Sequence, residues 1–235
     1  MMIDSDLSLK QLEKRISYIF LNNSLLKEAL THRSYLNENP DWAFNHNERL
    51  EFLGDAVLEL GVTRNLFRDY PNDDEGKLTS IRAALVNSLM LATIADELDL
   101  ERYLFLSKGE SKDRGRARSF IMTNAVEALI GAIYLDRGVE SAFDFIDAFV
   151  MPHLPRVLEK RLYKDAKSLL QEIIQNKNKQ TPQYEVTREI GPDHDKVFVV
   201  AVFAGDNKLG EGSGPSKQEA ETEAAQKALE KLQVE

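Results

Sequence analysis

The chain has no cysteine. Disulfides and thiolate-held metals are therefore excluded, and a reducing compartment is open to it. Its start, Met1-Met2-Ile3-Asp4-Ser5-Asp6-Leu7, lacks the basic region and apolar run of a signal peptide. No apolar stretch reads as long enough to span a membrane. These absences predict a cytoplasmic protein with no membrane partner. Positive charge is also short: 30 Lys and Arg stand against 39 Asp and Glu, a net charge of −9. The simplest rule for a nucleic-acid binder asks for a basic domain. No half of the chain supplies one, since residues 165–235 carry 9 Lys and Arg against 13 Asp and Glu. Nucleic-acid contact would have to come from a few local cations and backbone donors, and would be strongly salt-sensitive. What remains is ordinary: 235 residues, 43% of them hydrophobic, enough for one or two domains with buried cores.

What the chain does have is a column of acids. Read at the helical period, residues 46–60 place Leu50, Leu53, Val57 and Leu60 on one side and Glu48, Glu51, Asp55 and Glu59 on the other. A column of charge is ordinarily a solvated face. Here no Lys or Arg alternates with the acids along that side, so they repel at i,i+3 and i,i+4. Uncompensated carboxylates on a rigid helix suit a hard divalent cation. Phe52 lies beside the acids and off the apolar stripe, which points to a partner surface. Farther along, Phe120 to Leu135 is apolar on nearly every side and predicts a buried helix. Asn124 and Glu127 interrupt it, i,i+3 on one face with Gly131. A buried glutamate is costly unless paired or metal-bound. This pair is the candidate second half of the site.

Around these segments the pattern is helical from residue 7 to 38, with a loop at 37–45. A long helix is predicted from Lys77 to Leu98, and residues 138–162 form an interrupted helical stretch. The segment 107–118 holds the densest basic cluster, Lys112, Arg114, Arg116 and Arg118, which as a mobile loop would meet phosphates. A new pattern begins near Asp165, a plausible helix cap. Residues 183–190 and 196–204 alternate as strands, with a shorter one at 208–211. Ser216-Lys217-Gln218-Glu219 reads as a capping box for a last helix. The order α-β-β-β-α packs two helices on one face of an antiparallel sheet.

Asn47-Glu-Arg-Leu-Glu-Phe-Leu-Gly-Asp55 resembles the signature of the ribonuclease III family, which cuts double-stranded RNA. Ala29-Leu-Thr-His32-Arg-Ser34, Glu75-Gly76 and Glu127-Ala-Leu-Ile-Gly-Ala-Ile-Tyr-Leu-Asp136 extend the likeness. Residues 165–233 resemble the double-stranded RNA-binding domain through Ser168-Leu-Leu-Gln-Glu172, the His194 loop, Gly210-Glu-Gly-Ser-Gly214 and Ser216-Lys217. The resemblance implies an all-α endonuclease domain over residues 1–162 and a small α+β RNA-binding domain over 165–235. It implies Mg²⁺, or Mn²⁺ in its place, held by Glu51, Asp55, Asn124 and Glu127, with Asp55 and Glu127 catalytic. Glu48 and Glu75 would line the cleft. Gln171, Gln175, His194, Ser216 and Lys217 would meet the RNA, and Phe52 would enter the partner of a homodimer. The implied reaction is cleavage of duplex RNA by metal-activated water, leaving 5′-phosphate and 3′-hydroxyl staggered ends, in the processing of ribosomal and other precursors. Two positions depart from the pattern: Asn124 stands where the family commonly has aspartate, and Gln218 where a second basic residue is usual. Asn124 is the one residue that favours a rival reading, a catalytically impaired double-stranded RNA-binding protein that retains the fold.

Overall fold

The computed structural model describes residues 5–112, 116–192 and 196–234. It divides into two compact units, Met1–Tyr163 and Lys164–Glu235. The first is helical: α1 Ser5–Arg15, α2 Asn23–Ala29, α3 Arg33–Glu38, α4 Glu48–Asp69, α5 Glu75–Val86, α6 Ser88–Glu97, α7 Arg116–Arg137, α8 Val139–Phe149 and α9 Leu154–Glu159. Among its described residues the only β pairing is an isolated bridge between Thr31 and Phe105. The second unit is α10 Ala166–Asn178, β1 Gln183–Ile190, β2 Val197–Ala204, β3 Asn207–Gly214 and α11 Lys217–Val234, with the strands antiparallel in the order β1-β2-β3.

The first unit is built around the contact of α4 with α7. Gly54 and Gly131 sit where the two helices meet. A Cβ on Gly54 would lie 1.8 Å from the Glu127 carbonyl oxygen, and one on Gly131 2.2 Å from that of Leu50. Backbone therefore lies on backbone, and no residue larger than glycine fits without moving a helix. Leu50, Val57, Leu58, Val62 and Leu66 of α4 and Leu129, Ile130 and Ile133 of α7 are buried in one cluster around this contact. Over Arg118–Arg137, α7 is long and apolar enough to cross a membrane, contrary to the reading of the sequence, but 61% of that stretch is buried inside the unit. It is a core helix.

Four sequence expectations change. Leu60 does not face the core; it is 55% exposed, and Leu58, fully buried, takes that place. The helix expected from Lys77 to Leu98 is two helices, because Asn87 adopts an extended conformation and caps α6, its side-chain oxygen accepting from Met90 N at 2.9 Å. Arg118 is not a solvated loop cation; it is buried on α7 with Nη2 2.9 Å from Glu101. Arg114 lies outside the described residues. The strand at 208–211 extends over Asn207–Gly214, where Gly210 and Gly212 let α11 lie directly against it: a Cβ on Gly212 would lie 2.3 Å from Ala224 N. Asp165 does cap α10, accepting from Ser168 N at 3.0 Å, and Ser216 Oγ accepts from Glu219 N at 3.2 Å.

Candidate active site

The α4–α7 contact decides which side chains meet. Gly54 lies between Glu51 and Asp55, and Gly131 lies one turn beyond Glu127 on α7. Helices that touch at these glycines bring the α4 acids against Asn124 and Glu127. The electrostatics record the crowding. Burial, then the charges of Asp55 and Glu51, push the Glu127 carboxyl up to about 7. Burial and the charge of Glu48 also raise Glu51, while a hydrogen bond from the Asn124 amide pulls it down. Glu51 Oε2 is buried with no hydrogen-bond partner. A carboxylate oxygen in that position lacks a counter-charge.

Glu48 stands at the edge of this group. Its Oε1 lies 3.5 Å from Arg33 Nη1 and its Oε2 3.8 Å from His46 Nδ1. Glu75 is elsewhere. It opens α5 and lines a cavity of 440 Å³ with Thr63, Leu66, Phe67, Leu78 and Arg82. Leu66 is about 22 Å along α4 from Glu51 at about 1.5 Å per residue. Within one chain, Glu75 and the other acids are therefore not one cluster. Phe52 is 82% exposed, off the core as its position in the acid column implied.

The donors around Glu51 suit a hard divalent cation. They are oxygens only, crowded with like charge, and one is orphaned and buried. As placed, no three of the described acidic and histidine side chains close around a common point for an ion. The fit lies in the chemistry of the donors and their convergence on one face.

In the second unit, Gln171 and Gln175 line a polar cavity of 220 Å³ with Ser168, Glu172 and Asn176. Lys217 opens α11, and its Nζ sits 5.6 Å from the centre of the Phe198 ring. Nothing in the spacing of the sequence ties this strand aromatic to a lysine on the last helix. His194 lies outside the described residues.

Residues 22–154 match the model of the family described as Ribonuclease-III-like. The chain belongs to the ribonuclease III family. Residues 166–232 match the double-stranded RNA binding motif. Full-length relatives agree: Ribonuclease 3 of Carboxydothermus hydrogenoformans is 45% identical over 97% of both chains. That of Borreliella burgdorferi is 44% identical over 94% of this chain and 89% of its own. Among solved structures, the nuclease domain of the Campylobacter jejuni enzyme is 39% identical and superposes with a TM-score of 0.57. It covers 63% of this chain and 99% of its own. The protein is thus a ribonuclease III family nuclease unit followed by a double-stranded RNA-binding unit.

Proposed function

We propose that the protein cleaves double-stranded RNA endonucleolytically with a divalent cation held by Glu51, Asp55, Asn124 and Glu127. The observation that carries this is Glu127: a carboxyl raised to about 7 on a core helix, facing Asp55 and Glu51 across a glycine contact. Bound Mg²⁺, or Mn²⁺ in its place, supplies the Lewis acidity that readies water for attack on phosphorus and offsets charge on the leaving 3′ oxygen. Glu127 and Asp55 present oxygens to that cation from two helices, and the neutral Asn124 amide holds Glu51 in place. Products carry 5′-phosphate and 3′-hydroxyl ends, and the natural substrates are ribosomal and other RNA precursors in the cytoplasm. The second unit reads duplex shape: Gln171 and Gln175 suit ribose hydroxyls, while Ser216 and Lys217 at the start of α11 suit phosphate.

Cutting both strands calls for two copies. Phe52 of one copy enters the 440 Å³ cavity of the other, whose floor includes Leu66, Phe67 and Leu78. The partner's Glu75 then joins the cleft from which this chain's own Glu75 is separated. The related Campylobacter jejuni nuclease domain has a region involved in dimer formation.

Asn124 favours one second reading, a duplex-binding protein without turnover. A single gel separates the two. Perfect duplex RNA is incubated with Mg²⁺, with and without excess EDTA. Cutting that stops with EDTA supports the nuclease; binding with no cutting under any condition supports the other reading.

A further inference from the structure

Granting the ribonuclease reading, we propose that Arg33 is a phosphate-positioning residue for the duplex and that Glu48 acts as its anchor. The backbone makes the pair rigid before either side chain is considered. His32 N donates to Phe105 O at 3.1 Å, and Asn47 N donates to Thr31 O at 2.9 Å. Asn47 Nδ2 adds a bond to Ala29 O at 3.2 Å. The start of α3 is thus tied to the start of α4, with Arg33 and Glu48 facing each other. His32 caps α3, its Nδ1 lying 3.3 Å from Ser34 N and 2.8 Å from Ser34 Oγ.

Each Glu48 oxygen faces a different nitrogen, Arg33 Nη1 at 3.5 Å and His46 Nδ1 at 3.8 Å. The His46 nitrogen is buried with no hydrogen-bond partner, so Glu48 is its nearest source of compensation. Arg33 is different: its side chain is 72% exposed. A guanidinium has five N–H donors in a planar fork, and only one edge meets Glu48. The rest point into solvent at the rim of the acid cluster. A duplex strand approaching Glu51 and Glu127 brings phosphates toward carboxylates in a protein of net charge −9. A cation held at that rim is what lets the strand settle. Arginine suits the task, since a fork already oriented by a carboxylate loses little freedom when it takes a phosphate.

The test uses the full chain on a labelled perfect duplex. Steady-state cleavage in Mg²⁺ gives KM and kcat, and duplex binding in EDTA at several salt concentrations gives the slope of log affinity against log salt. Arg33→Ala is expected to raise KM about tenfold or more with kcat little changed, and to flatten the salt slope by about one, as loss of one phosphate contact does. Arg33→Lys keeps the charge and should recover part of both. Glu48→Gln should show the same KM effect, and the double variant should be no worse than either single one, because both remove one unit. A merely structural role would not flatten the salt slope. Unchanged KM and slope for Arg33→Ala overturn the proposal. So does a loss confined to kcat with a shifted Mg²⁺ optimum, which would put Glu48 among the metal-holding residues. A wild type that binds duplex and never cuts it removes the ribonuclease reading instead, and the salt slope still decides Arg33.

Discussion

Glu127 and Asp136 lie in the same motif and do unrelated work. Asp136 has a side chain only 1% exposed. It accepts from Tyr18 Oη at 2.8 Å, Leu21 N at 2.9 Å and Asn22 N at 2.8 Å, tying the turn before α2 to the end of α7. Burial pushes its carboxyl up, but these bonds outweigh it and the net shift is downward. A carboxyl depressed by folding stabilises fully above its unfolded value and loses that contribution as pH falls through the folded one. Asp136→Asn is therefore expected to unfold at lower urea than wild type at pH 7, with the gap narrowing only as the pH falls below the ordinary aspartate value. A gap that stays constant across that range would assign the loss to shape and not to charge. Glu127→Gln removes a carboxylate that burial and like charge hold at a cost, so it should raise urea stability at pH 7, abolish turnover and keep duplex affinity, since the second unit is untouched. Asn124 lies one turn before Glu127 on α7. Its amide lowers the Glu51 carboxyl by hydrogen bonding, so Asn124→Asp replaces that donor with a second carboxylate and leaves Glu51 with less compensation. More negative charge should tighten Mg²⁺ at the expense of repulsion in its absence. A Mg²⁺ titration on one duplex is expected to shift to lower concentration, with metal-free stability reduced; an unchanged curve would remove position 124 from the site.

At the scale of elements, the acid column was legible because period, repulsion and missing cations all pointed the same way. The break at Asn87 was less so. Apolar spacing continued through it, and only an N-cap side chain marks the new start. The third strand was read too short, at 208–211, because the glycines at 212 and 214 break its alternation, and they are glycines because α11 rests on them. The same close approach organises the active site. Gly54 was readable as part of a motif, but its contact with Glu127 O is a tertiary fact that no local pattern contains. Gly54→Ala must push α4 from α7, and overpacking of this kind costs about 1–3 kcal/mol. The expected result is a lower urea midpoint together with a loss of cleavage larger than the stability change explains, because the two halves of the acid cluster separate. Wild-type cleavage in a destabilised Gly54→Ala protein would show that their spacing is not critical.

For the whole molecule, the two features that sequence alone left unconnected are an exposed ring and a distant glutamate. Phe52 is among the most exposed large apolar side chains in the chain, and Phe67, beside the Glu75 cavity, is nearly as open. Both lie on α4, separated by about 22 Å at about 1.5 Å per residue. In the proposed dimer a two-fold pairing of α4 helices would satisfy both ends at once: each ring would fill the other copy's cavity, and each cleft would gain the partner's Glu75. An isologous contact of this form has its anchor duplicated, so one substitution removes two rings. Phe52→Ala is expected to weaken self-association by about 2–4 kcal/mol, the range of a central anchor. Sedimentation of the full chain over a dilution series reads that directly. Cleavage by Phe52→Ala should then depend on protein concentration and return toward wild type as dimer re-forms, because each cleft has the partner's Glu75 only when paired. Glu75→Ala should instead lower cleavage at every concentration without changing the dimer. If Phe52→Ala sediments as wild type does, the ring serves some other surface and the cavity beside Glu75 is open for a different occupant.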